Sequence, residues 1–162
     1  RYIQADYENQ SVACLLAPSS SPDKPEEQER KNAFFEMFGN HLQKVRNKRR
    51  EFIICGNWQL AHTPADVQDT EQNSTSSGFL AEERQWLSEL LSSGYVDAFR
   101  EIYSDQDEFS WWPDGDRDTN GWRTDFHVVS QGLKYTVDYG AIYKSKVFST
   151  HAPVIMDYDL EL

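Results

Sequence analysis

The chain has 162 residues and carries 16 Lys plus Arg against 27 Asp plus Glu, a formal charge of −11. That length fits one domain, and the charge repels phosphate over the whole surface, which argues against a stand-alone, tight, non-specific nucleic-acid binder. Only 38% of residues are hydrophobic, but 5 Trp, 8 Tyr and 9 Phe supply large buried areas, so the core is expected to be aromatic. No stretch approaches the roughly 18 apolar residues of a membrane-spanning helix. The opening Arg1-Tyr2-Ile3-Gln4-Ala5-Asp6 reads as the middle of a domain and not as a signal peptide. Cys14 and Cys55 each lie in an apolar run, so two buried thiols in a reducing, cytoplasmic setting are expected.

Residues 2–7 and 11–17 are β-prone runs separated by Glu8-Asn9-Gln10, consistent with a hairpin. Residues 18–25 form an irregular Ser/Pro loop. The segment 26–47 places Phe34, Phe38, Leu42 and Val45 at steps of four, four and three, which predicts a helix with one apolar face. Phe52-Ile53-Ile54-Cys55, stopped by Gly56, predicts a strand buried on both faces. Residues 63–78 are polar and predict a long surface loop. Residues 81–91 predict a second helix, ended by Gly94. Further on, 109–112, 122–130 and 154–158 predict strands. The alternation in the second of these puts Trp122, Phe126 and Val128 on one face and Arg123, Asp125 and His127 on the other. Strands with two interposed helices imply an α+β domain, layered as α/β/β/α.

Three clusters carry polar groups suited to chemistry. Gly56-Asn57-Trp58-Gln59 follows the buried strand, where side chains leave the sheet for a cleft, or where an Asn merely satisfies a turn. Arg123 and Asp125 share a predicted face, for which a structural ion pair is the plain reading. Ser149-Thr150-His151-Ala152-Pro153 places a His before the final strand, either exposed or catalytic. Separately, Lys44, Arg46, Lys48, Arg49 and Arg50 crowd the end of the first helix. They either complement the helix dipole or form a basic edge that contacts RNA phosphates or an acidic rim, with Arg49 and Arg50 the strongest candidates. Trp111 and Trp112 offer faces for base stacking, or one ring in the core and one at a rim.

In order along the chain, these clusters together with Gly78-Phe79-Leu80, Gly94-Tyr95-Val96-Asp97-Ala98-Phe99-Arg100 and Phe109-Ser110-Trp111-Trp112 resemble the exodeoxyribonuclease III branch of the endonuclease/exonuclease/phosphatase superfamily. The resemblance implies the C-terminal part of a DNase I-like four-layered sandwich, with the N-terminal half and its Asn and Glu metal ligands missing. A sandwich so divided would leave one sheet face exposed. It also implies metal-dependent phosphodiester hydrolysis, in which an Asp activates water and an Asp–His pair stabilises charge.

Against that pattern, Asn57 stands where the motif has Asp and Gln59 where it has Asn. Leu16 replaces a Tyr and Thr150 an Asp, while Asp125 and His151 remain. An amide cannot take a proton near neutral pH, so an inactive relative without a resident metal is expected, or else a Mg²⁺-dependent abasic-site endonuclease and 3′-5′ exonuclease, native or engineered inactive. Among inactive relatives, the basic run 46–50, Phe109-Ser110-Trp111-Trp112-Pro113-Asp114 and Met156-Asp157-Tyr158-Asp159 resemble the catabolite repression control proteins. That resemblance implies translational repression with the RNA chaperone Hfq on A-rich mRNA, the chaperone providing most of the RNA affinity.

Overall fold

Apolar stripes on two helices make the first layer of the computed structural model, which describes residues 1–161. Helix α1 (Pro25–Arg46) starts at a Pro, with Glu26 and Glu27 in its first turn and Lys44 and Arg46 in its last, the charge order that complements the helix dipole. It buries Phe35, Phe38, Leu42 and Val45. Phe34 is only half-buried, since Phe35 takes the inward position. Gly39 is tolerated within α1 because a Cβ there would come within 3.1 Å of Trp86 Nε1. Trp86 belongs to helix α3 (Ala81–Ser92), which buries Leu87 and Leu90.

Both helices pack on a five-stranded sheet ordered β1-β2-β3-β5-β4. The strands are β1 (Tyr2–Asp6), β2 (Gln10–Leu16), β3 (Glu51–Asn57), β4 (Tyr95–Asp97) and β5 (Asp125–Ser130). Only β2 and β3 run parallel, and α1 supplies the crossover that such a pair needs. Ala13, Leu15, Phe52, Ile54, Phe126 and Val128 project from the sheet into the helix layer and enclose Trp58. On the opposite face, Ile53, Val96 and Val129 join Leu133, Val137, Met156 and Tyr158. The last three belong to a separate two-stranded sheet, β6 (Val137–Ile142) and β7 (Val154–Tyr158). The layers are therefore helix, sheet, sheet, in accord with the expected C-terminal part of an α/β/β/α sandwich. The second sheet covers only the β3–β5–β4 side, and Ile3 and Leu16 on the same face stay 73% and 46% exposed.

Several expectations need correction. Cys14 is exposed and Cys55 half-buried, because both point to this partly open face. Residues 63–78 are no simple surface loop. They hold a 3₁₀ turn (Pro64–Asp66) and the short α2 (Thr70–Asn73), and they bury Asp66, Val67 and Asn73. Residues 109–112 are not a strand, since Trp111 makes only isolated bridges to Trp122 and His151. The strand expected from 122 begins at Asp125 instead. Trp122 packs apart from Phe126 and Val128, with Ala61, Val67 and Phe79. The elements β4, α4 (Ala98–Ile102) and β6 were not expected. They are short, or, as in β6, interrupted by Asp138 and Gly140, and tertiary pairing defines them. Among the described residues no helix is long and apolar enough to cross a membrane.

Candidate functional site

The site begins where β3 leaves the sheet. Gly56 has φ +131°, and a Cβ on it would lie 2.1 Å from the Leu15 carbonyl oxygen, so only glycine fits beside β2. Asn57 follows, and its Oδ1 accepts the Gln59 N–H at 2.9 Å. Gln59 is held at φ 57°, and its carbonyl accepts from Lys31 Nζ at 2.6 Å. Lys31 is buried and pairs with Glu83 Oε1 at 2.7 Å, while Glu83 Oε2 accepts the N–H groups of Gly78 and Leu80. Desolvation lowers the Lys31 pKa, and Glu83 opposes that shift. The turn after β3 is thus fixed from below by a buried ion pair reaching from α1 to α3, which sequence reasoning missed.

Strand register aligns the next residues. Leu16 stands opposite Asn57 and Asn57 opposite Asp125, so the three lie abreast on adjacent strands. Asp125 Oδ2 accepts from Ser110 Oγ at 2.7 Å and meets His151 Nδ1 at 2.8 Å. Buried Ser110 Oγ in turn accepts the N–H groups of Thr124 and Asp125, and the Ser110 carbonyl accepts from Ala152 N at 2.7 Å. Trp111 stacks on the His151 ring at 5.8 Å. With Nδ1 committed to Asp125, His151 keeps Nε2 free to meet a ligand. Thr150 is exposed, and its carbonyl accepts from Trp112 N at 3.0 Å. Leu16, Asn57, Gln59, Asp125 and His151 are therefore gathered at one end of the five-stranded sheet.

The expected Arg123–Asp125 pair does not form. Residues 122–124 are not a regular strand, and Arg123 turns inward. Its Nε donates to Asp66 Oδ1 at 2.7 Å and its Nη2 to Asp97 Oδ2 at 2.6 Å. Burial by itself would raise the Asp66 pKa, but Arg123, Arg100 and the Thr63 N–H bring it down to about 2. Nearby, burial pushes His127 down to about 4, and its Nδ1 lies 3.0 Å from the Tyr158 hydroxyl.

The basic residues lie elsewhere. Lys44, Arg46, Lys48, Arg49 and Arg50 precede β3 at Glu51, whereas the site lies past Asn57 at its other end, a separation of about 20 Å along the strand. Arg50 is occupied by the fold, since its Nη1 donates to the carbonyls of Tyr7 at 2.6 Å and Gln10 at 2.8 Å and so closes the β1–β2 hairpin. Arg46 donates to the Ser93 carbonyl. Trp112 is 2% exposed with the Arg117 guanidinium 4.1 Å above its ring, which removes it as a stacking surface. Trp111 is half-buried against His151.

A divalent cation takes several oxygen ligands. Asp125 is the one carboxylate in the aligned row, and Asn57 Oδ1 is already bonded. Among the described residues no three His, Cys, Asp or Glu side chains converge as a metal-holding group. These residues alone do not fit the Mg²⁺ site that the resemblance implies.

No protein-family model matches the chain. An exodeoxyribonuclease of Bacillus subtilis is 31% identical over 158 residues, covering 95% of this chain and 62% of that protein. A DNA-(apurinic or apyrimidinic site) endonuclease of Dictyostelium discoideum is 34% identical over 128 residues, covering 76% of this chain and 35% of its own length. An AP endonuclease structure from Archaeoglobus fulgidus superposes with TM-score 0.87 at 22% identity, covering 99% of this chain and 65% of that one. The fold is that of the DNase I-like AP endonucleases and exonucleases. A 3′-5′ exonuclease structure from Neisseria meningitidis shares this fold, with TM-score 0.84 at 21% identity over 99% of this chain and 65% of that one. Relatives and structures together support the exonuclease III-like superfamily. The chain spans under two thirds of the length of each of them.

Proposed function

We propose that the chain forms part of an exonuclease III-like protein that holds a phosphodiester against the Asp125–His151 pair without hydrolysing it. The observation that carries this reading is Asn57. An amide stands abreast of Asp125, and its oxygen is turned back onto the Gln59 N–H. It cannot accept a proton from water. Leu16 beside it brings no hydroxyl. What remains is an imidazole oriented by a carboxylate, which in its protonated, imidazolium form donates from Nε2 to a phosphate oxygen.

Within this reading the role is post-transcriptional repression, joined to the RNA chaperone Hfq on A-rich mRNA. The support is the resemblance together with the charge of −11, which leaves most RNA affinity to a partner. A second reading, a metal-dependent abasic-site endonuclease and 3′-5′ exonuclease of DNA repair, is favoured by the relatives at 31% and 34% identity. It requires metal ligands and a base from outside the described residues.

The test is cleavage of an abasic-site duplex with Mg²⁺ or Mn²⁺ by the full-length protein. No scission is expected. Scission abolished by His151→Ala would establish the enzyme reading instead. The combination Leu16→Tyr, Asn57→Asp, Gln59→Asn and Thr150→Asp is expected to raise cleavage above the wild-type level.

A further inference from the structure

Between β6 and β7 the chain leaves the second sheet as a loop ending at His151. It displays Tyr143, Val147 and Phe148 at 39%, 62% and 64% exposure. Phe148 stacks on Tyr143 with ring centroids 6.2 Å apart, and Lys146 Nζ lies 5.4 Å from the Phe148 centroid. The loop is pinned at its base. Tyr143 N donates to the Pro153 carbonyl at 2.8 Å and Trp112 N to the Thr150 carbonyl at 3.0 Å. Arg117 Nη2, from the neighbouring loop, donates to the Ser149 carbonyl at 3.3 Å. Lys144 is paired with Glu108, which leaves Lys146 as the cation beside the ring. An anchored loop that holds an aromatic ring in water, with Lys146 on its flank, and leads directly to the candidate phosphodiester site has the makings of a stacking platform.

We propose that residues 143–149 bind an unpaired nucleic-acid strand, one base stacking on Phe148 and its phosphate meeting Lys146, so that the strand runs on toward His151. The proposal rests on the phosphodiester reading of the Asp125–His151 site and gives it a substrate class. Phosphates entering here also meet the exposed Asp114, Asp116 and Asp118 of the loop that carries Arg117. Stacking therefore contributes more to binding than charge does, and the salt dependence is shallow.

The experiment titrates the full-length protein into a single-stranded deoxyadenylate dodecamer with a central 2-aminopurine, reading base fluorescence and anisotropy. The expected result is quenching of the base by the wild-type protein. Phe148→Ala weakens binding about tenfold, and Phe148→Trp restores it. Lys146→Ala weakens it roughly threefold and lowers the salt slope by at most about one. Equal affinity of Phe148→Ala and wild type, or a saturated complex with no quenching, overturns the platform. The same preparations are assayed on the abasic-site duplex. Loss of strand affinity in Phe148→Ala without wild-type cleavage supports both readings. Wild-type cleavage with the Phe148 effect intact removes only the non-cleaving reading and leaves the platform standing. A silent Phe148 in a non-cleaving protein removes only the platform.

Discussion

Arg123 and Asp125 are near neighbours in sequence, yet the fold gives them opposite surroundings. Arg123 is 1% exposed, and both faces of its fork are taken by Asp66 and Asp97. Asp125 is partly buried, its side chain 18% exposed, and shares one oxygen between Ser110 and His151. The first cluster is saturated and closed, so its charges hold the sheet to the 63–67 segment and to the start of α4. The second keeps a free imidazole edge at the surface, so it can meet a ligand. Charged side chains alone do not mark a site, and the spare valence at Nε2 distinguishes the two clusters.

Breaking the closed cluster has the largest expected effect. Arg123→Met leaves Asp66 and Asp97 buried without their main partner, which costs about 3–5 kcal/mol. Urea unfolding measures the loss. Asp125→Asn keeps the shape of its partly buried side chain, and a loss of about 1 kcal/mol is expected. Equal losses for the two variants would erase the distinction between a structural and a ligand-facing carboxylate.

Acid separates the structural groups by pH. His127 is held neutral by burial, with its pKa down at about 4. Its contribution is present above the unfolded-state pKa of about 6.5 and is lost as pH falls toward 4, up to about 3 kcal/mol. Asp66, lowered to about 2, acts later. Its contribution is complete above about pH 4 and is lost as pH falls toward 2, about 2 kcal/mol. Stability measured by urea titration from pH 7 to 4 should therefore decline, and His127→Asn should flatten that decline. An unchanged slope in the variant would show that His127 is solvated in the folded state.

The helices and β3 were legible because their signals are local. The apolar spacing of Phe38, Leu42 and Val45 and the run Phe52–Cys55 fix which side must be buried. The alternation across 122–130 misled, because alternation implies a shared face only where a continuous ladder exists. Trp122 instead bridges Val67 and Trp111 singly, and this frees residues 122–124 to rotate Arg123 inward. Arg123's partners at 66 and 97 come from distant segments, as does Lys31's carbonyl partner Gln59. No periodicity reports such contacts. The adjacency of Asp125 and His151 came from the resemblance and not from spacing. Ser110, which joins them to the backbone, carried no signal beyond its place in Phe109-Ser110-Trp111-Trp112.

Ser110 sharpens the comparison at intermediate cost. Its hydroxyl donates to Asp125 and accepts two backbone N–H groups in a fully buried position. Ser110→Ala leaves those donors unsatisfied and is expected to destabilise by about 1–3 kcal/mol. It should also loosen the His151 ring, read as broadened imidazole resonances in NMR spectra. Destabilisation with sharp, unmoved His151 resonances would show that Trp111 stacking alone orients the ring.

The smallest effects test the basic run. Arg50 donates to carbonyls of the β1–β2 turn, so Arg50→Ala should cost about 1 kcal/mol by urea unfolding. Arg49 is exposed, and Arg49→Ala should lie within about 0.5 kcal/mol of wild type. The proposed assembly with Hfq on A-rich RNA reads the other property. If the basic edge touches that complex, Arg49→Ala weakens assembly without changing stability, whereas the loss in Arg50→Ala follows the hairpin. Undiminished assembly of Arg49→Ala would leave the strand-binding loop before His151 as the surface to examine, since the two regions lie at opposite ends of β3.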